Sequence, residues 1–412
     1  MDNALVKSVP AFAGGAVVVV LGRQRALDAV WQRVRAHDAV AALHHCPDLD
    51  VLMNWVRGGG VDVIVCDVTD GRSEGLWVPS RMLRQARQAQ RLPKVLWISD
   101  MPACALDPFA ALWQEQGVRI RTAAPDEDVS QAVLRCLTSA PRAVELPAEV
   151  MSERDEQLVA ALAGADTGQA RIVLQPQKEL STGRIVGAEA LIRWRQPALG
   201  DIPVEDMLRD VARLSLGPML FHFVTERAIA LQLQLVGAGI YTRLSVNASV
   251  ATLAMPGVVN SLDARVRDRG LSAGLLNIEV TERGLIADMA AVKTGLLRLR
   301  ARGFGISMDD FGTGSSSLER LVLLPFDEIK IDRVFVQRLP FDAASRAVVS
   351  AALELGRVIG ASVVAEGIET AEQARYAQDL GCLTGQGYGL DRPMEVDAYV
   401  RKVDAYGSRT SP

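Results

Sequence analysis

The chain has 412 residues, enough for two domains, and its 49% hydrophobic and 23% charged residues are the balance of a globular protein. A net charge of −4 leaves no basic surplus to neutralise phosphates, which excludes duplex nucleic acid as a partner. The five cysteines include no CxxC pair, which excludes a disulfide framework, and only His222 of the four histidines follows residue 150, so a metal site in the C-terminal part has to use oxygen ligands.

In chain order, residues 17–21 (Val-Val-Val-Val-Leu) read as a buried strand, too short for a membrane span or a signal-peptide core. The expectation is a cytoplasmic protein with no membrane span. Residues 23–37 read as helix. Residues 61–66 form a second strand that ends at Asp67, residues 94–98 a third that ends at Ser99, and residues 118–121 a weaker fourth. Helical patterns between them indicate a small α/β unit with a parallel sheet.

This layout resembles a response-regulator receiver domain, which is flavodoxin-like. Asp67 stands at the phosphoacceptor position, Gly75 at the glycine that follows it and Ser99 at the hydroxyl position. The resemblance fails at the metal: Leu21 and Gly22 stand where a receiver has an acidic pair. Ala124 stands before Pro125 where it has a lysine. Two readings of Asp67 stay open, a vestigial phosphoacceptor and a structural aspartate. The missing ligands favour the second, in a degenerate receiver used for association or signal input from an upstream partner.

Residues 128–163 are helix-rich, broken by Pro141 and Pro147, with Asp128 as an N-cap and Ser152 with Asp155 as a weaker capping pair. The domains expected are 14–138 for the receiver-like unit, 139–167 for a helical linker and 168–403 for a catalytic domain.

In that last part, strand-like runs recur about every 30 residues: 172–174, 185–191, 244–246, 276–280, 304–308, 329–331, 362–365 and a short one at 386–390. Helical segments such as 203–233, 288–302 and 345–360 separate most of them. Eight strands over this length indicate a (β/α)8 TIM-like barrel; a doubly wound open sheet is the alternative. Glu189 lies in the second run. Asn247, Glu279, Asp309, Lys330 and Glu366 lie at or near the ends of later ones, with Gln175 and Gln386 on the first and last. In a barrel these strand ends converge on one mouth, where several carboxylates repel one another unless a cation joins them. Oxygen ligands point to Mg²⁺ or Mn²⁺.

The motifs resemble the EAL domain family of cyclic di-GMP phosphodiesterases. Glu189-Ala190-Leu191-Ile192-Arg193-Trp194 is similar to the family signature, and seven other motifs follow its order. They are Gln175-Pro176, Ser245 to Ser249, Glu279-Val280-Thr281-Glu282, Asp309 to Gly314, Lys330-Ile331-Asp332, Glu366 to Thr370 and Gln386-Gly387-Tyr388. The departures are Gln196 before Pro197, Val211-Ala212 in the first long helix, and Leu390 and Arg392. None is a metal ligand in the family pattern.

The resemblance implies two divalent cations per active site, Mg²⁺ or Mn²⁺. Glu189, Asn247, Glu279 and Asp309 would hold the first; Asp309 would bridge to a second, held also by Asp310 and Glu366. Lys330 would orient the attacking water, and Glu366 would be a ligand or a general base. Arg193 suits a phosphate through its guanidinium fork, and Gln175, Asp332, Glu369 and Gln386 would contact the nucleotide. Glu282 would anchor the loop after Asp310, and residues 311–317 would form a lid coupled to oligomer state. The implied product is linear pGpG and the implied assembly a homo-oligomer. A catalytically inactive cyclic di-GMP receptor and a pure interaction protein are the rival readings.

Overall fold

The computed structural model describes residues 16–21, 34–35, 37–69, 74–85, 92–125, 127–138, 151–164, 169–281, 289–313, 321 and 323–405. Most of the helix expected at 23–37, the prolines Pro141 and Pro147, Glu282 and residues 314–317 lie outside them. The chain divides into two compact units, Met1–Ala170 with Arg195–Leu220, and Arg171–Trp194 with Phe221–Pro412.

The first unit holds a parallel sheet of β1 (Ala16–Leu21), β2 (Val40–Cys46), β3 (Val63–Asp67), β4 (Lys94–Ile98) and β5 (Ile120–Ala123), in the order β2-β1-β3-β4-β5. That is the flavodoxin-like order. β1, β3 and β4 are buried along almost their whole length, the condition of central parallel strands covered on both faces. β2 was not expected. Its Val-Ala-Ala-Leu-His-His-Cys sequence is mostly half-buried, because it is an edge strand, and it lacks the apolar run that marks its neighbours.

Gly75 is required by packing: a Cβ there would stand 2.5 Å from the Cβ of Cys66 on β3. The close approach lets Trp97 Nε1 donate to the Gly75 carbonyl at 2.9 Å. Asp128 accepts from Ser130 N at the start of the helix Val129–Thr138. The helix Glu153–Leu162 opens on a complete capping box: Ser152 Oγ accepts from Asp155 N, and Asp155 Oδ2 accepts from Ser152 N. Such a cap stabilises a helix by about 1 kcal/mol. Buried Glu156 on this helix pairs with Arg81 at 3.0 Å and Arg84 at 3.2 Å, and Asp155 pairs with Arg213.

The second unit contains a closed barrel. Its strands are β6 (Ala170–Glu179) and β7 (Ile185–Gln196), then, after the short outlying β8 (Gly200–Ile202), β9 (Arg243–Asn247), β10 (Leu276–Thr281), β11 (Gly305–Phe311), β12 (Glu328–Ile331), β13 (Ser362–Ala365) and β14 (Thr384–Gly385). From β7 through β9 to β14 neighbours run parallel, and pairing of β6 with both β7 and β14 closes the ring.

Three expectations need correction. β6 runs antiparallel to β14 and is joined to β7 by a turn with no helix between, so the barrel departs from strict (β/α)8 alternation. The last strand of the closed ring is Thr384–Gly385, and residues 387–390 form a bend and turn. The helix expected at 203–233 is two, Val204–Arg213 and Gly217–Gly237, parted where Ser215 takes a φ of 54°. The other long helices fall close to expectation, at Met289–Ala301 and Ala343–Ile359, the latter ending on Gly360 in the left-handed region.

Candidate active site

Strand periodicity sets which side chains face the barrel axis. Glu279 on β10 pairs in register with Asn247 on β9, and Glu189 on β7 pairs with Ser245, so their side chains share one interior face. Lys330, two residues after Glu328 on β12, is fully buried at the centre. Its Nζ stands 2.6 Å from Glu366 Oε1, 2.7 Å from Glu279 Oε2, 3.3 Å from Glu189 Oε2 and 3.6 Å from Asp309 Oδ1. One ammonium therefore faces four carboxylates from four other parts of the barrel.

Hydrogen bonds fix the members. Asn247 Nδ2 donates to Glu189 Oε1 at 2.6 Å, and Gln386 Nε2 donates to Glu189 Oε2 at 2.7 Å and to Gln175 Oε1 at 3.3 Å. Gln177, which the sequence reading missed, donates from Nε2 to Gln386 Oε1 at 3.1 Å. Its signal was available: it lies two residues after Gln175, on the same face of β6. Below this layer, buried Asn277 donates to Ser245 Oγ at 3.1 Å and to Glu328 Oε1 at 3.2 Å, and Ser307 Oγ donates to the same Glu328 oxygen at 2.7 Å.

The electrostatics follow from burial and crowding. Burial works against a charged Lys330, but Glu189, Glu279, Glu366 and Asp309 together hold its ammonium well above the ordinary lysine value. Burial raises Glu279 well above the usual carboxylate range, and the neighbouring carboxylates add to the rise. Burial also pushes Glu366 up to about 8, with Asp309 and Glu189 adding to it and Lys330 opposing. Glu189 goes the other way: burial would raise it, but Lys330, Gln386 and Asn247 hold it below the usual range.

Asp310 sits apart from this inner set. Its φ of 56° is in the left-handed region, rare for a residue with a Cβ, and its N donates to Asp309 Oδ1 at 3.0 Å. Burial, then Asp309 and Asp332, raise its carboxyl to about 6. Asp332 also caps the helix Arg333–Val336, accepting from Val334 N at 2.7 Å. Arg193 Nη1 donates to the Ile192 carbonyl at 2.8 Å, and Glu369 accepts from Gln337 Nε2 at 3.0 Å, so neither is tied to the inner cluster. Thr370, with Gln373, caps the helix after Glu369.

Among the described residues no three Asp, Glu, His or Cys groups converge as a ready-made metal cluster; the Lys330 ammonium takes the central place. The donor chemistry nonetheless fits a hard divalent cation. The set is all oxygen, it is in excess over its one ammonium, and Glu279 Oε1 is buried without a hydrogen-bond partner.

Asp67, at the end of β3, is buried and accepts from Thr69 N at 3.1 Å and Thr69 Oγ1 at 2.6 Å. Ser99, after β4, accepts from Met101 N at 3.1 Å.

A flavodoxin-like unit with a barrel whose strand ends gather carboxylates around a lysine defines a class of enzyme, one that works on its substrate at a barrel mouth. More narrowly, the chain belongs to the EAL domain family, whose profile matches residues 155–393. It is 30% identical over 358 residues to the cyclic di-GMP phosphodiesterase RocR of Pseudomonas aeruginosa, covering 87% of each chain, so that similarity reaches into the N-terminal unit. It is 37% identical over 230 residues to the bifunctional diguanylate cyclase/cyclic di-GMP phosphodiesterase MucR of the same organism, covering 56% of this chain but 34% of that longer protein. Among solved structures, the PaMucR phosphodiesterase in complex with c-di-GMP matches at a TM-score of 0.55 and 36% identity, over 59% of this chain and 99% of that one. The manganese/cyclic di-GMP complex of Klebsiella pneumoniae BlrP1 matches at 0.50 and 30%, over 56% of this chain and 57% of that one.

Proposed function

We propose that the chain hydrolyses cyclic di-GMP to linear pGpG, with two divalent cations, Mg²⁺ or Mn²⁺, at the barrel mouth. The observation that carries this reading is the burial of Lys330 among Glu189, Glu279, Asp309 and Glu366. Such an acidic mouth repels a phosphodiester anion, and only bound cations reverse that repulsion. When bound, they neutralise phosphate charge and lower the pKa of water, so that hydroxide is available near neutral pH. Glu189, Asn247, Glu279 and Asp309 would hold one cation, and Asp309, Asp310 and Glu366 the other.

The remaining roles belong to the chain itself. Lys330 stays protonated, keeps the carboxylates in place and offsets charge that develops on phosphorus. Asn247 and Gln386 hold both oxygens of Glu189, which fixes its rotamer. Glu366 is a ligand or takes the proton of the attacking water. Arg193, Gln175, Asp332, Glu369 and Gln386 contact the nucleotide, and Glu282 anchors the loop after Asp310. Asp67, with Leu21 and Gly22 in place of a receiver's acidic pair, is structural, and the N-terminal unit regulates by another input.

The test is incubation of purified protein with Mg²⁺ or Mn²⁺ and cyclic di-GMP, followed by separation of products. Linear pGpG is expected, with none formed in chelator. Binding without turnover would overturn hydrolysis and leave a receptor. Appreciable turnover by Glu189→Ala would overturn the ligand assignment.

A further inference from the structure

We propose that the N-terminal unit carries a second ligand site, a pocket for a small organic phosphate of mononucleotide size, at the edge of its sheet opposite Asp67. The pocket lies where β4 and β5 begin and the helix Val129–Thr138 ends, a cavity of about 350 Å³. That is at the lower end of the range for small-molecule sites. Among the described residues its wall includes Lys94, Arg119, Arg121 and Arg135 and no carboxylate, in a chain whose net charge is −4.

The cations have different duties. Lys94 is buried, and its Nζ donates to the Cys136 carbonyl at 2.7 Å and the Leu137 carbonyl at 2.9 Å. It ties the negative end of the helix to the start of β4, so the floor is built before any ligand arrives. Arg135, from the last turn of that helix, pairs with Glu127. Arg119 and Arg121 are two residues apart at the start of edge strand β5, which puts them on one face. Neither has a carboxylate partner among the described residues.

Cys136 lines the same wall. Burial raises its thiol above the ordinary value, while Arg121, Lys94 and Arg135 each work against the rise. Two guanidinium forks on one strand face, with a third from the facing helix, suit a dianionic head with several acceptor oxygens. The cavity volume leaves room beyond the phosphate for the rest of the molecule. A ligand there clamps the end of the helix Val129–Thr138 to β5, at the point where the chain leaves the sheet. It is an input that makes no use of Asp67.

The experiment is calorimetric titration of the full chain with GMP, guanosine and inorganic phosphate, repeated on three variants. GMP is expected to bind with a Kd of about 10–1,000 μM, inorganic phosphate more weakly, and guanosine not at all. Arg119→Ala/Arg121→Ala should weaken GMP binding at least about tenfold with an unchanged melting temperature, and Arg121→Lys should weaken it less. Glu189→Ala, at the barrel mouth, should leave it unchanged. Absence of saturable binding, binding unaffected in the double variant, or binding lost in Glu189→Ala instead would each overturn the site. Phosphate binding as tight as GMP would overturn its organic part.

Discussion

The two units use the same device, parallel strands that end in polar residues, and obtain different results from it. In the open sheet, strand ends stand in a line about 4.8 Å apart. Asp67 and Ser99 each satisfy a neighbour two residues along the chain, Thr69 and Met101, which is ordinary turn chemistry. In the barrel, closure wraps the line around an axis. Residues from β7, β10, β11 and the end of β13 reach one ammonium from β12. Polar strand ends alone do not concentrate charge; curvature that makes distant strands neighbours does.

The largest expected effect tests that contrast directly. Asp309→Asn should lower turnover of cyclic di-GMP by at least about 10³-fold, equivalent to about 4 kcal/mol of barrel-mouth chemistry. Retention of a tenth of the activity would mean that the convergence is incidental. Next, Lys330→Met removes the shared counter-charge. Unfolding in chelator should then cost about 3 kcal/mol less than for the parent, with part of the loss recovered on adding Mn²⁺. An unchanged denaturation midpoint would show that the ammonium is not what holds the carboxylates together.

Gly312→Ala comes third. Gly312 has a φ of 97°, and a Cβ there would stand 2.7 Å from Phe335 Cε2. Strain of about 1–3 kcal/mol should reach Asp309 and Asp310 through the backbone, giving about a tenfold drop in turnover with the fold retained. The smallest effect belongs to the other unit. Asp67→Asn should change turnover by less than about twofold with or without acetyl phosphate, and stability by no more than about 1 kcal/mol. Turnover that depends on acetyl phosphate in the parent and not in the variant would erase the contrast and restore a phosphoacceptor.

Much of this arrangement was legible from residues alone, because fully buried strands announce themselves. β1, β3, β4 and most of the barrel strands are short apolar runs, and in the barrel the carboxylates carried at or near such runs, Glu189, Glu279, Asp309 and Glu366, meet around Lys330. What escaped has physical reasons. β2 is an edge strand, half-solvated, so alternation is blurred by alanines and histidines. Strand direction leaves no mark on hydrophobic pattern, so nothing in residues 170–179 says that β6 runs against β14. The break at Ser215 had a cue in Gly217-Pro218, overlooked because the apolar spacing continues across it. The layer of Asn277, Ser307 and Glu328 was invisible because partners from three strands satisfy one another only after closure. Asp332 was read for a nucleotide contact and also caps a helix, a reminder that one carboxylate can serve two neighbours.

The reversed strand also has a consequence for how the chain comes together. The bonds that complete the ring, from Gln177 to Gln386 and from Gln386 to Gln175, span 209 and 211 residues. Contacts of such sequence separation form late and slowly, since loop-closure entropy is lost before they give anything back. A growing polypeptide can therefore order its first sheet, and even β6 to β13, while the barrel remains an open ribbon with β6 as an exposed edge. Gln386 both seals that edge and supplies the donor that holds Glu189. Assembly and competence are thus reached in one step, and a nascent chain stalled short of Thr384 has neither a sealed sheet nor a finished mouth.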